Sequence, residues 1–277
     1  MDRRKAMKLA AGVLAGSGAG LFTLSKAFKA KGSQDTGPHS LDYTKAESTW
    51  NYAVLNPEIT AGLAYTYYNE GSCMYATIKS FVSQLAEQHG EPFASFPYQM
   101  FRYGHGGIGG YGSVCGSLNG AAAIIGLFVT DKDVQDKMIT DLFQWYEKAA
   151  LPAYKPLQPN LDFTPVSSVS NSVLCHASNT NWCKQSGFQI NSGERKERCR
   201  RLTGDVVQKL TVSLNEIHSG TYMTNMHGNE AAGTCISCHG NDGKLKNTSV
   251  KMSCNSCHSE SAGHKVFADI HYKLMKE

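Results

Sequence analysis

The chain has 277 residues, of which 41% are hydrophobic and 18% are charged, a composition that excludes collagen-like and disorder-dominated proteins. The formal net charge is +4, but residues 1–30 contain six basic residues and one acidic residue. The rest of the chain is therefore close to neutral. Because the basic charge is confined to the N-terminus, the sequence does not indicate a nucleic-acid-binding protein.

The first 30 residues are typical of an export signal. The pair Arg3 and Arg4 precedes a weakly apolar stretch rich in Ala and Gly, and lysines follow this stretch. This order predicts a twin-arginine signal and a periplasmic protein, with an ordinary N-terminal helix as the alternative. Residues 12–24 are fewer than the ~20 apolar residues that a membrane span needs, so we expect no membrane span in the mature protein.

Residues 31–217 carry the pattern of a helical domain. Apolar residues at helical spacing predict helices near residues 73–90, 130–149 and 193–217, and a glycine-rich turn leads into a further helix. Residues 151–192 are rich in Pro, Ser and Asn and are predicted to form a long loop. Because strand patterns are nearly absent, we predict a mainly α fold in which residues 218–277 form a small, loop-rich second domain.

The charge run at residues 194–201, "ERKERCRR", has a separate interpretation. It is expected to be a solvated helix face that is interrupted by one inward-facing cysteine. A surface that docks an acidic redox partner is the alternative.

Two C-x-x-C-H motifs lie close together near the C-terminus. Their residues are Cys235, Cys238 and His239, and Cys254, Cys257 and His258. In a c-type site the two cysteines bind the haem covalently and the histidine ligates its iron. The tail is poor in Leu, Ile and Val, and covalently bound haem would supply the apolar core that it lacks. We therefore predict two haems c, with a Cys/His zinc module as the alternative.

Each haem iron also needs a sixth ligand or an open position. We expect His227 and His264 to be the distal ligands because they are close to the motifs, with His218 and His271 as alternatives. One distal histidine is expected to come from a second copy of the chain, because cysteine-anchored haems have little freedom. Two histidines on each iron would favour electron transfer, whereas an open position would favour small-molecule chemistry.

Five cysteines lie outside the haem motifs: Cys73, Cys115, Cys175, Cys183 and Cys199. Disulfides are common in exported proteins, but five cysteines would leave one unpaired. Cys73 and Cys115 lie at predicted helix starts, which favour thiolates, and nearby glycines allow backbone N–H groups to approach bridging sulfides. The pattern favours an iron–sulfur cluster, with disulfides, zinc or free thiols as alternatives.

The segments "SCMYATIKSF", "GGIGGYGSVCGSLNGA", "SVLCHASNTNWC" and "ERCRRLTGDVVQKL" resemble successive blocks of the C-GCAxxG-C-C redox-protein family. Followed by two haem motifs, the whole resembles the split-Soret cytochrome c family of sulfate-reducing bacteria. The resemblance implies that Cys73, Cys115, Cys175 and Cys199 ligate a cluster, with Cys183 as an alternative ligand. It also implies a homodimer in which neighbouring haems stack.

These features together predict an exported electron-transfer protein, an electron relay or buffer in anaerobic respiration. Residues 1–30 would be its signal, residues 31–217 its iron–sulfur domain and residues 218–277 its dihaem domain. Its partners would be a second copy and other redox proteins. The competing hypothesis is an oxidoreductase that acts on a small nitrogen or sulfur substrate at an open haem, and a zinc-stabilised binding module is a third.

Overall fold

The fold is mainly α-helical, as the sequence predicts. The computed structural model describes residues 50–224, 230–254 and 258. In these ranges the helices are α1 (Pro57–His89), α2 (Gly116–Phe128), α3 (Lys132–Lys148), α4 (Cys175–Ser186), α5 (Gly193–Ser219) and α6 (Glu230–His239). Two 3-10 helices, Phe93–Ser95 and Tyr98–Gly104, follow α1, and the short strands β1 (Ala150–Leu151) and β2 (Ser168–Val169) pair antiparallel.

Two findings bear on the expected export signal and membrane topology. The signal at residues 1–30 lies outside the described residues, so it stays a prediction. Among the helices described here, none combines the length and the apolar character that crossing a bilayer requires.

Helix α1 begins earlier than the sequence indicates and contains a kink that sets the position of Cys73. The Asn56 side chain caps its first turn by accepting hydrogen bonds from two backbone N–H groups at 2.9 and 3.2 Å. At Gly71 and Ser72 the backbone leaves the helical conformation, and it resumes at Cys73. Beyond the kink the predicted apolar face is buried, and the helix ends before Gly90, as expected.

Helix α2 approaches α1 closely because small residues face it. A Cβ atom added at Gly120 would lie 2.9 Å from Thr77 Cβ and 3.1 Å from the Met74 carbonyl oxygen. Cys115 precedes the helix in a non-helical conformation and forms its N-cap. The predicted glycine-rich turn followed by a helix of small residues is thus confirmed.

Helix α3 begins at its predicted cap. The Asp131 carboxylate accepts hydrogen bonds from the backbone N–H groups of Asp133 and Val134 at 2.9 and 3.0 Å. The apolar residues one helical turn apart point into the core, where Met138, Leu142 and Tyr146 are buried.

The prediction of one long loop over residues 151–192 is wrong, because α4 lies within it. Its Asn and Ser residues disfavour an isolated helix. In the folded chain the backbone of the preceding segment accepts their hydrogen bonds, for example from Asn181 Nδ2 to Ser170 O at 2.9 Å. Trp182 is fully buried and donates to Val166 O, also at 2.9 Å. These tertiary contacts outweigh the weak helix propensity.

The prediction that the charge run at the start of α5 forms a solvated face is also wrong. Glu197, Arg198 and Arg201 are only 0%, 1% and 6% exposed. Glu197 accepts hydrogen bonds from Arg201 Nε at 2.8 Å and from the Tyr65 hydroxyl at 2.7 Å, and it also pairs with Arg200. Part of a charge run can therefore be buried where a carboxylate neutralises its neighbours, as Glu197 does for Arg200 and Arg201.

The remainder of α5 supplies much of the core and packs along α1. Its predicted apolar stripe is buried and comprises Leu202, Val206, Leu210 and Leu214. On another face, the Asp205 carboxylate accepts hydrogen bonds from the backbone N–H groups of Ala153 at 3.1 Å and Tyr154 at 2.8 Å. These bonds attach the segment that follows β1 to α5.

The segment before the second haem motif contacts the helical core. Ser172 Oγ lies 4.0 Å from Met252 Sδ, and the Ser253 backbone N–H donates to Glu147 Oε1 at 3.4 Å. The two predicted cofactor-binding parts of the chain are thus in direct contact. The boundary expected between residues 217 and 218 stays a prediction.

Candidate metal centre and haem attachment segment

Four cysteines line a single internal cavity of about 50 Å³. They are Cys73, Cys115, Cys175 and Cys199, the set that the family resemblance implies. Cys73 and Cys115 are buried, whereas Cys175 and Cys199 are partly buried. Four convergent thiols are a donor set suited to soft transition metals and iron–sulfur clusters.

Helix ends place three of these four thiols. Helical backbone resumes at Cys73 after the kink in α1, Cys115 caps α2, and Cys175 is the first residue of α4. The N-terminal end of a helix carries a partial positive charge, which stabilises anions. The fold therefore brings three such ends to one cavity, and Cys199 on α5 supplies the fourth thiol.

The close approach of α1 and α2 brings Cys73 to the cavity. The Cys73 thiol lies 3.7 Å from the Gly104 carbonyl oxygen. A Cβ atom at Gly116 would lie only 2.4 Å from Cys73 Sγ and 2.2 Å from that same oxygen. Packing therefore requires a glycine at position 116. A glycine directly after Cys115 is the feature of the sequence that indicates this close contact between α1 and α2.

Asn179 connects two of the thiols and was not singled out from the sequence. Its Nδ2 atom donates to Cys175 Sγ at 3.2 Å, and its Oδ1 atom accepts from the Cys199 thiol at 3.3 Å. The i, i+4 spacing from Cys175 could have indicated a shared helix face. The contact with Cys199 depends on tertiary structure.

Burial disfavours the ionised form of two of the four thiols, Cys73 and Cys175. Burial and the neighbouring Cys115, Cys199 and Cys175 thiols raise the pKa of Cys73 well above its ordinary value. Burial, together with the neighbouring Cys115 and Cys199, raises the pKa of the Cys175 thiol to about 12. Since thiolates are the metal-binding form, metal loading would release protons here.

The spacing of the donor side chains bears on the kind of metal site. Within the described ranges, no three His, Cys, Asp or Glu side chains are grouped closely enough to hold a single metal ion. In an iron–sulfur cluster the thiolates bind different iron atoms, so they can stand further apart than the ligands of one tetrahedral ion.

Cys183 lies outside the four-thiol cavity. It lines an adjoining surface groove of about 720 Å³ together with Cys175, Asn179 and Arg195. Those last three residues also line the four-thiol cavity. The geometry thus groups Cys73 with the other three thiols and places Cys183 at the entrance.

The two haem motifs lie next to each other. Cys235, Cys238 and His239 form the last turns of α6, and in the second motif the His258 backbone N–H donates to Cys254 O at 2.9 Å. Burial raises the pKa of the Cys254 thiol, and so does its hydrogen bond with Cys235. Cys257 falls outside the described residues.

The His239 ring is oriented by a hydrogen bond through one of its two nitrogens. Its Nδ1 atom lies 2.9 Å from Asn247 Oδ1, and because an amide oxygen only accepts, Nδ1 carries the proton. Metal-ligating histidines commonly use their second nitrogen in this way.

One of the four candidate distal histidines can be placed. His218 is exposed in the last turn of α5, and its ring centroid lies 5.7 Å from that of Tyr52. His227, His264 and His271 lie outside the described residues. The expected order of the distal ligands therefore stays a prediction.

Known proteins share these features. Residues 72–212 match the family described as "Putative redox-active protein (C_GCAxxG_C_C)". That range contains all four cysteines of the cavity and the additional Cys183.

The similarity also extends beyond this range. The chain is 34% identical to "Split-Soret cytochrome c" of Desulfovibrio desulfuricans (strain ATCC 27774 / DSM 6949 / MB) over 91% of its length and 92% of that protein. The solved structure "A novel iron centre in the split-Soret cytochrome c from Desulfovibrio desulfuricans ATCC 27774" matches with a TM-score of 0.72 and 33% identity, over 77% of this chain and 92% of the other. Agreement in sequence and fold over most of both proteins shows that the chain belongs to the split-Soret cytochrome c family.

Proposed function

We propose that the protein is an exported electron carrier that holds two haems c and an iron–sulfur cluster. The observation that carries this proposal is the convergence of four thiols on one cavity, in a chain that also places two haem attachment motifs side by side. The relative from Desulfovibrio desulfuricans is a cytochrome c, and its solved structure is described as having a novel iron centre. Both descriptions support this reading.

The residues around the cavity fit a cluster. Cys73, Cys115, Cys175 and Cys199 would be its ligands, and Arg198 faces the same cavity with a buried Nε atom that has no hydrogen-bond partner in the described part of the chain. A cluster would supply one-electron redox chemistry at this position. The chain itself places the four sulfurs at one cavity and offers positive charge from three helix ends.

The haem segment fits two covalent haems. Cys235, Cys238, Cys254 and Cys257 would form the thioethers, and His239 and His258 would ligate the irons from the proximal side. His227 and His264 are proposed as distal ligands, with His218 and His271 as alternatives. The adjacency of Cys235 and Cys254 would bring the two haems close together, so that the pair could store two electrons.

The proposal includes export and dimerisation. The twin arginines in the leader support a periplasmic location, and cytochromes c receive their haem outside the cytoplasm. The family resemblance supports a homodimer with neighbouring haems stacked. Because cysteine-anchored haems have little freedom, one chain would supply a distal histidine to its partner. Other redox proteins would then exchange electrons with the exposed haem edge.

The test is iron and haem analysis of the purified protein combined with low-temperature EPR. We expect more iron than two haems contain. Cys115→Ser and Cys199→Ser should each abolish or strongly deplete the excess and leave both haems attached. Cys183→Ser is the matched control and should retain the excess, because Cys183 lies outside the cavity.

Non-haem iron at background level, together with two mapped disulfides among the five cysteines, would exclude the cluster. Ready binding of cyanide or nitric oxide to the oxidised or reduced haems would reveal an open iron position. That result would favour the oxidoreductase over the electron carrier.

A further inference from the structure

Among the described residues, Arg198 is a buried cation that has no carboxylate in direct contact with it. Burial raises the pKa of the nearby Asp205 carboxyl to about 7, although Arg198 is near enough to lower it, so Asp205 is only a partial counter-charge at neutral pH. Arg198 is 1% exposed, and in the part of the chain that the structure describes no carboxylate forms an ion pair with it. Its neighbours on α5 differ in this respect, because Arg200 and Arg201 share Glu197. An isolated buried charge is strongly unfavourable, so the fold must compensate for Arg198 in another way.

The hydrogen bonds of Arg198 are incomplete. Its Nη2 atom donates to Ser178 Oγ at 2.8 Å, and its Nη1 atom lies 3.8 Å from Cys199 Sγ. Its Nε atom is buried and has no hydrogen-bond partner among the residues that the structure describes. The same side chain lines the four-thiol cavity, so both the rest of its counter-charge and its missing acceptor could be supplied from there.

We propose that Arg198 is the positioning residue of the metal centre, supplying counter-charge and hydrogen bonds to the sulfur atoms held in the cavity. This inference rests on the proposed iron–sulfur site. Arginine is always protonated in proteins. The thiolates and sulfides of a metal centre would supply the negative charge that balances Arg198 in this cavity. Arg198 would therefore favour the more negatively charged, reduced state and raise the reduction potential of the centre.

The first experiment measures reduction potentials by EPR-monitored titration of the intact protein. Arg198→Gln should shift the non-haem centre by tenfold or more in its reduction equilibrium, at least about 59 mV more negative for a one-electron couple. Arg198→Lys keeps the charge and should recover most of the shift. The haem potentials should stay unchanged in both variants.

Arg201→Gln is the matched control. Arg201 is a buried arginine of the same helix, but it donates to Glu197 and to the Phe163 carbonyl, and it is not among the residues that line the cavity. This variant should be less stable than the wild type and should leave the potential of the non-haem centre unchanged. An equal shift in Arg198→Gln and Arg201→Gln would overturn the proposal.

The second experiment measures stability, and it compares Arg198→Met in the cluster-free and in the loaded protein. In the cluster-free Cys115→Ser background the charge of Arg198 has only partial compensation, and replacing a buried ion by an apolar side chain of similar size is then often stabilising. We expect Arg198→Met to raise the denaturation midpoint in that background and to lower it in the loaded protein. A loss of stability in both backgrounds would show that Arg198 has only a structural role.

The outcomes separate the two proposals. If the wild type lacks non-haem iron, the proposed iron–sulfur site fails. If the wild type contains non-haem iron, and Arg198→Gln keeps both that iron and the wild-type reduction potential of the non-haem centre, only the proposed role of Arg198 fails. If Arg198→Gln loses the iron while Arg198→Lys retains it and both keep their haems, the requirement for a positive charge is supported.

Discussion

Gly116 shows how a single hydrogen atom in place of a side chain determines the candidate site. It follows the ligand candidate Cys115 and occupies the point where α2 meets the start of the second half of α1. A methyl group there would overlap both Cys73 Sγ and Gly104 O. The Cys73 sulfur and the Gly104 backbone cannot both move away from such a methyl group, because both residues are buried.

Gly116→Ala should therefore displace Cys73 and destabilise the protein. We expect a loss of about 1–3 kcal/mol in the free energy of unfolding, loss of the non-haem iron, and two attached haems. Gly126→Ala in the same helix is the control, because a Cβ atom there has no neighbour within 4 Å. It should be neutral or stabilising by about 0.5–1 kcal/mol. If Gly116→Ala retained all of its non-haem iron, the inference that Gly116 is needed to position Cys73 would be wrong.

At the residue scale the sequence predicts donors better than it predicts their surroundings. Cysteine and histidine have few functions, so spacing indicated the haem motifs, and the family resemblance led to the four thiols that the structure places in one cavity. Asn179 and Arg198 were not foreseen, because an asparagine in a polar segment and an arginine in a charge run are usually solvated. Only the packing of α4 against α5 gives them their partners.

At the scale of elements, Asp205 connects α5 to the chain that follows β1. Three hydrogen bonds from the Ala153 and Tyr154 backbone N–H groups end on its carboxylate. These bonds favour the ionised form, but burial has the larger effect and raises the pKa of Asp205 to about 7. The buried group therefore opposes folding where it must ionise.

The raised pKa of Asp205 makes the stability of the folded protein depend on pH. Between about pH 4, the unfolded pKa of Asp, and about pH 7, the folded state binds more protons than the unfolded state, so stability falls as pH rises. Asp205→Asn keeps an acceptor oxygen and should remove this contribution. At pH 7.5 we expect the variant to gain on the order of 2–4 kcal/mol over the wild type, and at pH 4 almost nothing.

Urea denaturation at several pH values measures this difference. The exposed Asp162→Asn is the control, and its effect should stay below about 0.5 kcal/mol throughout. A difference for Asp205→Asn that does not change with pH would show that the carboxyl group ionises normally in the folded protein.

Segments with strong helical periodicity were predicted correctly, whereas α4, α6 and the first part of α1 were not predicted as helices. Helix α3 and most of α5 show apolar residues at helical spacing, and their buried faces agree with that pattern. Helix α4 has a polar sequence whose hydrogen bonds go to the segment around Ser170. No local pattern could indicate these contacts, because the acceptors are separated from the helix by a turn.

At the scale of the whole molecule, the two proposed kinds of cofactor would have conflicting assembly requirements. Clusters are assembled in the reducing cytoplasm, whereas haem c is attached after export. A route that exports folded protein would resolve the conflict, because the helical core could load its cluster first. The tail would then receive haem outside the cytoplasm and dock through Met252 on Ser172.

Replacing both Arg3 and Arg4 by Lys should abolish export. We expect a cytoplasmic, haem-free protein that still contains non-haem iron, measured by cell fractionation, haem staining and iron analysis. Lys8→Arg keeps the leader's charge and lies outside the arginine pair, so this control should be exported normally. Export and haem attachment in the double variant would instead indicate the general secretory route.

The three helix ends around the cavity also affect how quickly charge could move through it. Side chains and water molecules must reorient when a neighbouring centre gains or loses an electron, and this reorganisation slows the transfer. The peptide dipoles that end at Cys73, Cys115 and Cys175 are locked by the hydrogen bonds of their own helices. Such dipoles are already oriented before charge arrives and need not rearrange afterwards. A cavity walled in this way can change its charge while the chain around it stays still.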